Sequence, residues 1–376
     1  MFTLIIFLIV LSVIVIAHEF GHFITARKSG MRVYEFGIGF PPRALGWYKD
    51  PETGKWKRVG RKFNKENASG IIWSLNWLPL GGFVSIKGEE GENTDSDSFV
   101  SQKYYKKIIV AVAGVVMNFV LAGVLLGIGY LFGLPQMTDN LPSSARVEND
   151  RLEILQVMSE TPAAEAEVKR GDVVLKIGEI ENPGIVEMQD YVKNFTGEKL
   201  NLELKRGEEI LNLEVGTFAY EDTGDKGIGV ALAQVGTVKF PWYLALWYGF
   251  VSAWNYLIAI VVVFYTLIVG LFAGTAGELT KSIAGPIGIA VMSGEVARLG
   301  ISYLLQFTAL LSLNLAVLNI LPIPALDGGR ILFLTIGKIF GKQSGLKYEN
   351  IAHAIGFILL IGLVLLVTFK DILGLF

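Results

Sequence analysis

The chain has three histidines in 376 residues, and two of them lie in His18-Glu19-Phe20-Gly21-His22. On a helix, positions i and i+4 share a face, so both imidazoles point at one ion. Glu19 stands about 100° around the helix from His18, within reach of a water held by that ion. This HExxH arrangement offers two nitrogen ligands for zinc and a carboxylate able to take a proton from the water. The run before it, Phe2 to Ala17, is uninterrupted apolar sequence. Ionisable groups at membrane depth cost roughly 2.5–3.5 kcal/mol each, so they are rarely kept there without a use. The competing reading is a helix end whose polar residues merely reach the interface.

A catalytic zinc wants a third protein ligand and leaves its fourth position to water. The chain has no cysteine, which excludes disulfides and thiolate ligands, so the third ligand must be His, Asp or Glu. The remaining histidine, His353, lies at a helix start near Lys347 and reads as an interfacial residue. Asp327 is the better candidate. It follows Asn319-Ile320-Leu321-Pro322-Ile323-Pro324-Ala325-Leu326 and precedes Gly328-Gly329. Two prolines break the helix before it, and two glycines let backbone come close after it. Asp-Gly is also a common turn pair, so a plain turn fits the same residues. Gly114 and Asn118 are four apart in another apolar stretch. There Asn118 either faces a wet cleft, holding substrate backbone or metal-site residues, or bonds a neighbouring helix.

The elements that must position these residues follow from composition. The chain is 52% hydrophobic with mean hydropathy +0.49, yet 18% charged. That points to a membrane protein with at least one water-facing domain. The expected fold is a polytopic α-helical membrane protein with about four core spans. These are a helix from Phe2 to about Lys28, Ile108 to about Leu134, Tyr303–Leu321 and Ile351–Phe369. The first lacks the basic start and small-residue cleavage site of a signal peptide. Arg27, Lys28 and Arg32 follow it, so the positive-inside rule puts Met1 outside and the HEFGH end towards the cytoplasm. From Arg27 to Lys107 there are 15 basic and 9 acidic residues; from Leu134 to Lys239 there are 11 basic and 20 acidic. That asymmetry sets the first stretch inside and the second outside.

Within residues 31–104, Glu35–Pro42 and Ile71–Lys87 are rich in Gly, Pro and aromatics and read as extended chain with turns. They form either a β element dipping into the membrane beside the metal or an ordinary cytoplasmic loop domain. Short apolar alternations at Leu152–Met158, Val173–Ile177, Leu200–Leu204 and Ile210–Val215, with a helix at Val186–Phe195, predict a small α+β domain over 146–219. The division expected is a first span over 1–30, the β region 31–104 and a second span 105–134. The α+β domain, a membrane-associated apolar helix with a Gly-rich linker over 240–300, and two last spans over 301–376 follow. The apolar stretch 242–272 is read as lying in or dipping into the outer leaflet, because a crossing there would carry Asp327 away from HEFGH.

Taken together, HEFGH, Gly114-x-x-x-Asn118 and Asn319-x-x-Pro322-x-Pro324-x-Leu326-Asp327-Gly328 resemble the site-2 proteases. These are intramembrane zinc metalloproteases, and the bacterial regulator-of-sigma-E type fits best. Leu80-Gly81-Gly82-Phe83-Val84 resembles that family's membrane-inserted β element. Thr161–Val174 resembles a PDZ domain, of which the space here holds one. The resemblance implies zinc on His18, His22 and Asp327, with Glu19 as the catalytic base. It implies substrate contacts at Asn118, Gly81, Gly82, Phe83, Asn319 and Pro324. It implies a multi-pass protein of the inner or plasma membrane with its PDZ domain outside and its active site towards the cytoplasm. The implied partners are the lipid bilayer, single-span membrane protein substrates such as anti-sigma factors or remnant signal peptides, and an upstream site-1 protease. The rivals are a PDZ membrane scaffold without activity, a different HExxH protease using a Glu ligand, and a transporter. Nucleic-acid binding has no support, because positive-inside accounts for the basic loop.

Overall fold

The computed structural model describes residues 1–89, 93–138, 141–207, 209–219, 224–274, 285–340 and 342–373. Lys281 and much of the Gly-rich linker expected before Gly300 lie outside the described residues.

Helix α1 (Phe2–Lys28) is apolar until its last turn, where Arg27 and Lys28 stand. Val10, Ile14, His18, His22 and Ala26 are all buried, so one i, i+4 stripe faces the protein and carries both histidines. Strands β1 (Val33–Lys49), β2 (Trp56–Val59) and β3 (Ile72–Ile86) follow, in the sheet order β2–β1–β3. The two long strands double back on themselves. Val33–Ile38 faces Gly82–Ile86 on one side and Ile72–Leu75 on the other, and Leu45–Tyr48 returns along the latter. Gly39 (φ +78°) and Gly81 (φ +65°) take the backbone round in a conformation that suits glycine. The sheet's tip exposes Phe40, Trp77, Leu78 and Leu80. Gly81 packs on Val15, and its N–H donates to Ser12 Oγ at 3.3 Å. Those residues are midway along α1, so the sheet's apolar tip packs beside the middle of that apolar helix. Helix α2 (Tyr104–Phe132) packs on α1 where Gly21 faces the Ala113 backbone and Met117, its missing side chain letting the helices close.

The compact unit Tyr130–Ala245 is wider than the 146–219 expected for the α+β domain. Its elements are β4 (Leu134–Met137), β5 (Arg146–Val157), α3 (Pro162–Glu165), β6 (Val173–Ile177), β7 (Ile180–Glu181), α4 (Ile185–Asn194), β8 (Lys199–Arg206), β9 (Glu209–Gly216), β10 (Phe218–Ala219), β11 (Lys226–Gly227) and β12 (Val230–Lys239). The antiparallel sheet runs β4–β12–β5–β6–β8–β9, with β7 on β6. Alternate residues Leu200, Leu202 and Leu204 join Leu152, Ile154, Val174 and Ile177 in one core, and α4 adds Met188 and Val192. Glu187 Oε2 accepts the Gly184 N–H at 2.9 Å and caps α4.

The chain then forms α5 (Trp242–Ala273), α6 (Pro286–Leu299), α7 (Ile301–Ile320), α8 (Asp327–Phe340) and α9 (Lys342–Leu373). Among the described residues, five helices are long and apolar enough to cross a membrane: Phe2–Lys28, Tyr104–Phe132, Trp242–Gly270, Ile301–Ile320 and Ile351–Leu373. The set includes the 242–272 stretch that the sequence reading laid along the leaflet. The chain is a multi-pass helical membrane protein with a membrane-associated β element. α7 stops where Pro322 and Pro324 remove backbone donors, and α8 restarts with Asp327 in its first turn.

Candidate metal centre

His18 and His22 come from α1 and Asp327 from the first turn of α8. His18 Nε2 lies 3.0 Å from Asp327 Oδ2, His22 Nε2 lies 3.5 Å from it, and the two Nε2 atoms are 3.1 Å apart. Ligand atoms around a tetrahedral zinc at 2.0–2.1 Å lie about 3.3 Å from one another, so these separations suit that ion. Both imidazoles are buried, at 6% and 8% exposure. Asp327 Oδ2 is buried and, among the described residues, has no hydrogen-bond donor. A buried carboxylate oxygen beside two imidazole nitrogens fits a cation better than any neutral filling.

The supporting groups act on the rings. His22 Nδ1 is 2.7 Å from the Val110 carbonyl, so that nitrogen carries the proton and donates, leaving the Nε2 lone pair towards Asp327. The Asn118 side-chain Nδ2, wholly buried, lies 3.4 Å from His18 Nδ1, and Ser312 Oγ donates to the Asn118 backbone carbonyl at 2.9 Å. Asn319 Nδ2 is 3.3 Å from His18 Nε2. At Gly114 a Cβ would stand 2.5 Å from His22 Nε2 and 2.7 Å from His18 Nδ1, so glycine keeps the cradle open.

Glu19 points from the adjacent face of α1 and accepts the Val84 N–H at 3.1 Å. That bond ties the returning arm of β3 to the centre. Gly81 and Gly82 are buried against Val15 and Ile16 of α1, where their missing side chains permit the approach, while Phe83 is half-buried. Pro324 is half-buried in the turn before Asp327. The structure thus gathers His18, Glu19, His22, Asn118, Asn319 and Asp327 at one place. It sets Gly81–Phe83 along α1 beside it and Pro324 in the supporting turn.

Two supports were not legible in the sequence. Arg330, one turn beyond Asp327, ion-pairs with Glu89 and stands 5.4 Å from the Phe99 ring, tying α8 to the segment after β3. His353 is outside the ligand group, but it is not merely interfacial: its Nδ1 accepts the Ala325 N–H at 2.8 Å. No local pattern announces either contact, because each joins residues far apart in the chain.

The chain matches the model of peptidase family M50 over residues 6–363. It is 34% identical over 369 residues to a Clostridium perfringens protein provisionally named a zinc metalloprotease, covering 97% of each chain. It is 30% identical over 438 residues to the regulator of sigma-W protease RasP of Bacillus subtilis, covering 100% of this chain and 99% of that one. Among solved structures, the PDZ domain of an SdrC-like protein from Listeria monocytogenes matches 23% of this chain and 92% of its own, at 24% identity and a TM-score of 0.21. The family match runs through α1, with both histidines and Glu19, and through the first turn of α8, with Asp327. The chain belongs to peptidase family M50.

Proposed function

We infer that the chain is an intramembrane zinc metalloprotease that cuts the transmembrane segments of single-span membrane proteins. The observation that carries this reading is the meeting of His18, His22 and Asp327 beside Glu19, with ligand atoms within 4.8 Å of one another and both histidines on a helix long and apolar enough to span a membrane. Zinc held by these three residues would polarise the scissile carbonyl and lower the pKa of a bound water towards 7. Glu19 takes the proton from the attacking water and delivers it to the leaving amine. The Val110 carbonyl holds the His22 imidazole in the tautomer that turns its Nε2 lone pair inward, and the buried Asn118 amide packs against the His18 ring.

A transmembrane helix hides its carbonyls in its own hydrogen bonds, so the substrate must unwind at the cut. The extended arm Gly81–Val84 lies beside Glu19 and receives the unwound stretch by strand addition. Asn319 and the Pro324 turn flank that path. With Met1 outside, residues 31–104 face the cytoplasm. The domain over 146–219, read as a PDZ domain, stands outside as a filter. It admits substrates already shortened by an upstream protease. The Bacillus subtilis relative is named a regulator of sigma-W protease, which agrees with a role in sigma-factor control; anti-sigma factors or remnant signal peptides are the substrates this reading assigns.

The test is cleavage of a single-span reporter by purified protein in detergent. Wild type is expected to cut within the span. Glu19→Gln should lower kcat by about 10²–10⁴-fold while keeping its metal, the range a general base contributes. Cleavage confined to soluble loops, or activity that survives in Glu19→Gln, contradicts the reading.

A further inference from the structure

The turn that delivers Asp327 is strained. Ala325, two residues before it, has φ +76°, a region that residues with a Cβ seldom occupy. Such backbone persists only where its surroundings over-determine it. Part of that support is local: the Ile323 N–H donates to the Leu321 carbonyl at 2.7 Å, and the Leu326 N–H to the Ile323 carbonyl at 3.2 Å. The rest comes from α9. His353 Nδ1 accepts the N–H of Ala325 itself, at 2.8 Å. Its ring also lies 5.6 Å from the Phe333 ring on α8, so one side chain holds both the turn and the helix that follows it.

One turn further along α9, Gly356 meets the same turn. A Cβ there would lie 2.6 Å from the Pro324 carbonyl oxygen and 2.7 Å from Pro324 Cβ. Gly356 is the one buried residue among the described residues from Ile351 to Leu373. A helix otherwise given over to lipid therefore seats itself at the Asp327 turn. At its other end Asp371 accepts the N–H groups of Gly285 and Gly288, at 3.0 and 2.8 Å, from the start of α6. The contact with the turn thus joins the Asp371 contact in tying α9 by hydrogen bonds to other parts of the chain.

We propose that His353 is a positioning residue for the metal centre: by accepting the Ala325 N–H it fixes the strained turn so that Asp327 reaches His18 and His22. The inference rests on the metal-centre reading above. It makes α9 part of the machinery through geometry alone, with no contact between His353 and the ion. Its chemical requirement is narrow. An acceptor must stand where Nδ1 stands, and asparagine places Oδ1 at that point whereas phenylalanine offers only the ring shape.

The experiment is a zinc competition titration of the purified full chain against a chromogenic chelator, with thermal melting of each preparation. His353→Phe is expected to weaken zinc binding about 10–100-fold, the usual cost of losing a group that orients a ligand. His353→Asn should recover most of that loss, which a merely bulky or structural role would not do. Gly356→Ala, which keeps His353 but pushes on Pro324, should weaken zinc in the same direction. It decides the matter if His353→Phe does not accumulate as folded protein. Wild-type affinity in folded His353→Phe or in Gly356→Ala overturns the proposal, as does a folded His353→Asn no better than His353→Phe. A wild-type chain that holds no zinc overturns the metal-centre reading first, and this proposal with it.

Discussion

In the unit Tyr130–Ala245 the buried set is aliphatic: Leu152, Ile154, Ile177, Leu200, Leu202 and Leu204. A wholly buried charge, Asp172, is fully answered. Arg206 donates to both its oxygens at 2.7 Å, and the Lys169 N–H donates at 2.9 Å. The membrane part differs. Many of its apolar side chains face outward, and beside buried apolar residues such as Phe23, Val110 and Leu313 it also buries His18, His22 and Asn118 near an Asp327 oxygen that, among the described residues, has no donor. A soluble domain buries oil and satisfies each polar group it takes in. A membrane domain has lipid outside for its oil, so a polar cluster inside it is kept for use. The difference is a physical reason to look for chemistry at the second cluster and for stability in the first.

That contrast can be broken by substitutions. The largest expected effect is in the soluble core. Leu202→Ala should cost about 2–5 kcal/mol of that unit's stability and leave zinc content untouched. Denaturant unfolding with metal analysis checks both halves, and joint loss would mean that the two regions do not behave separately. Next, Gly114→Ala should act the other way round. A methyl group in the cradle overpacks it by about 1–3 kcal/mol, or roughly 5–150-fold in zinc affinity, with the Tyr130–Ala245 unit's melting unchanged.

The smallest effect is at Asp172. Burial pushes its carboxyl up, but Arg206 and the Lys169 N–H outweigh burial and hold it below the ordinary 3.8. A carboxyl depressed in the folded state contributes its full stability above its unfolded value and loses it as pH falls through the folded value. Wild type should therefore lose stability below about pH 4, the range of an unperturbed aspartate. Asp172→Asn should be less stable at pH 7, by about 1–3 kcal/mol because Arg206 is partly exposed, and should show a flatter acid limb. Melting temperature against pH for the two proteins gives the answer, and parallel curves would remove the pair from the account.

Much of this was written locally in the sequence. The four-residue spacing of His18 and His22 needs nothing but a helix to become a site. Asp327 between prolines and glycines announces a helix break with a carboxylate at it. The predicted strand Val173–Ile177 coincides with β6, and the predicted helix at 186–195 lies one residue from α4, because period-two and helical patterns are local. β12 went unread, although it sits between β4 and β5, because its small and polar residues blur the alternation. Gly81 and Gly82 read as backbone for substrate, and the fold adds that both pack against α1. Asn118 carried two readings, and its complete burial against His18 favours the one that holds the metal site. His353 and Arg330 had no local signal, since their partners arrive from other elements.

The most direct test of the account is zinc per chain, by mass spectrometry of the purified protein, for wild type and Asp327→Asn. The account predicts one zinc per wild-type chain and a loss of it in Asp327→Asn, with the melting of the Tyr130–Ala245 unit unchanged. Full zinc retained in Asp327→Asn would contradict it, because the carboxylate brought 3.0 Å from His18 would then not be a ligand.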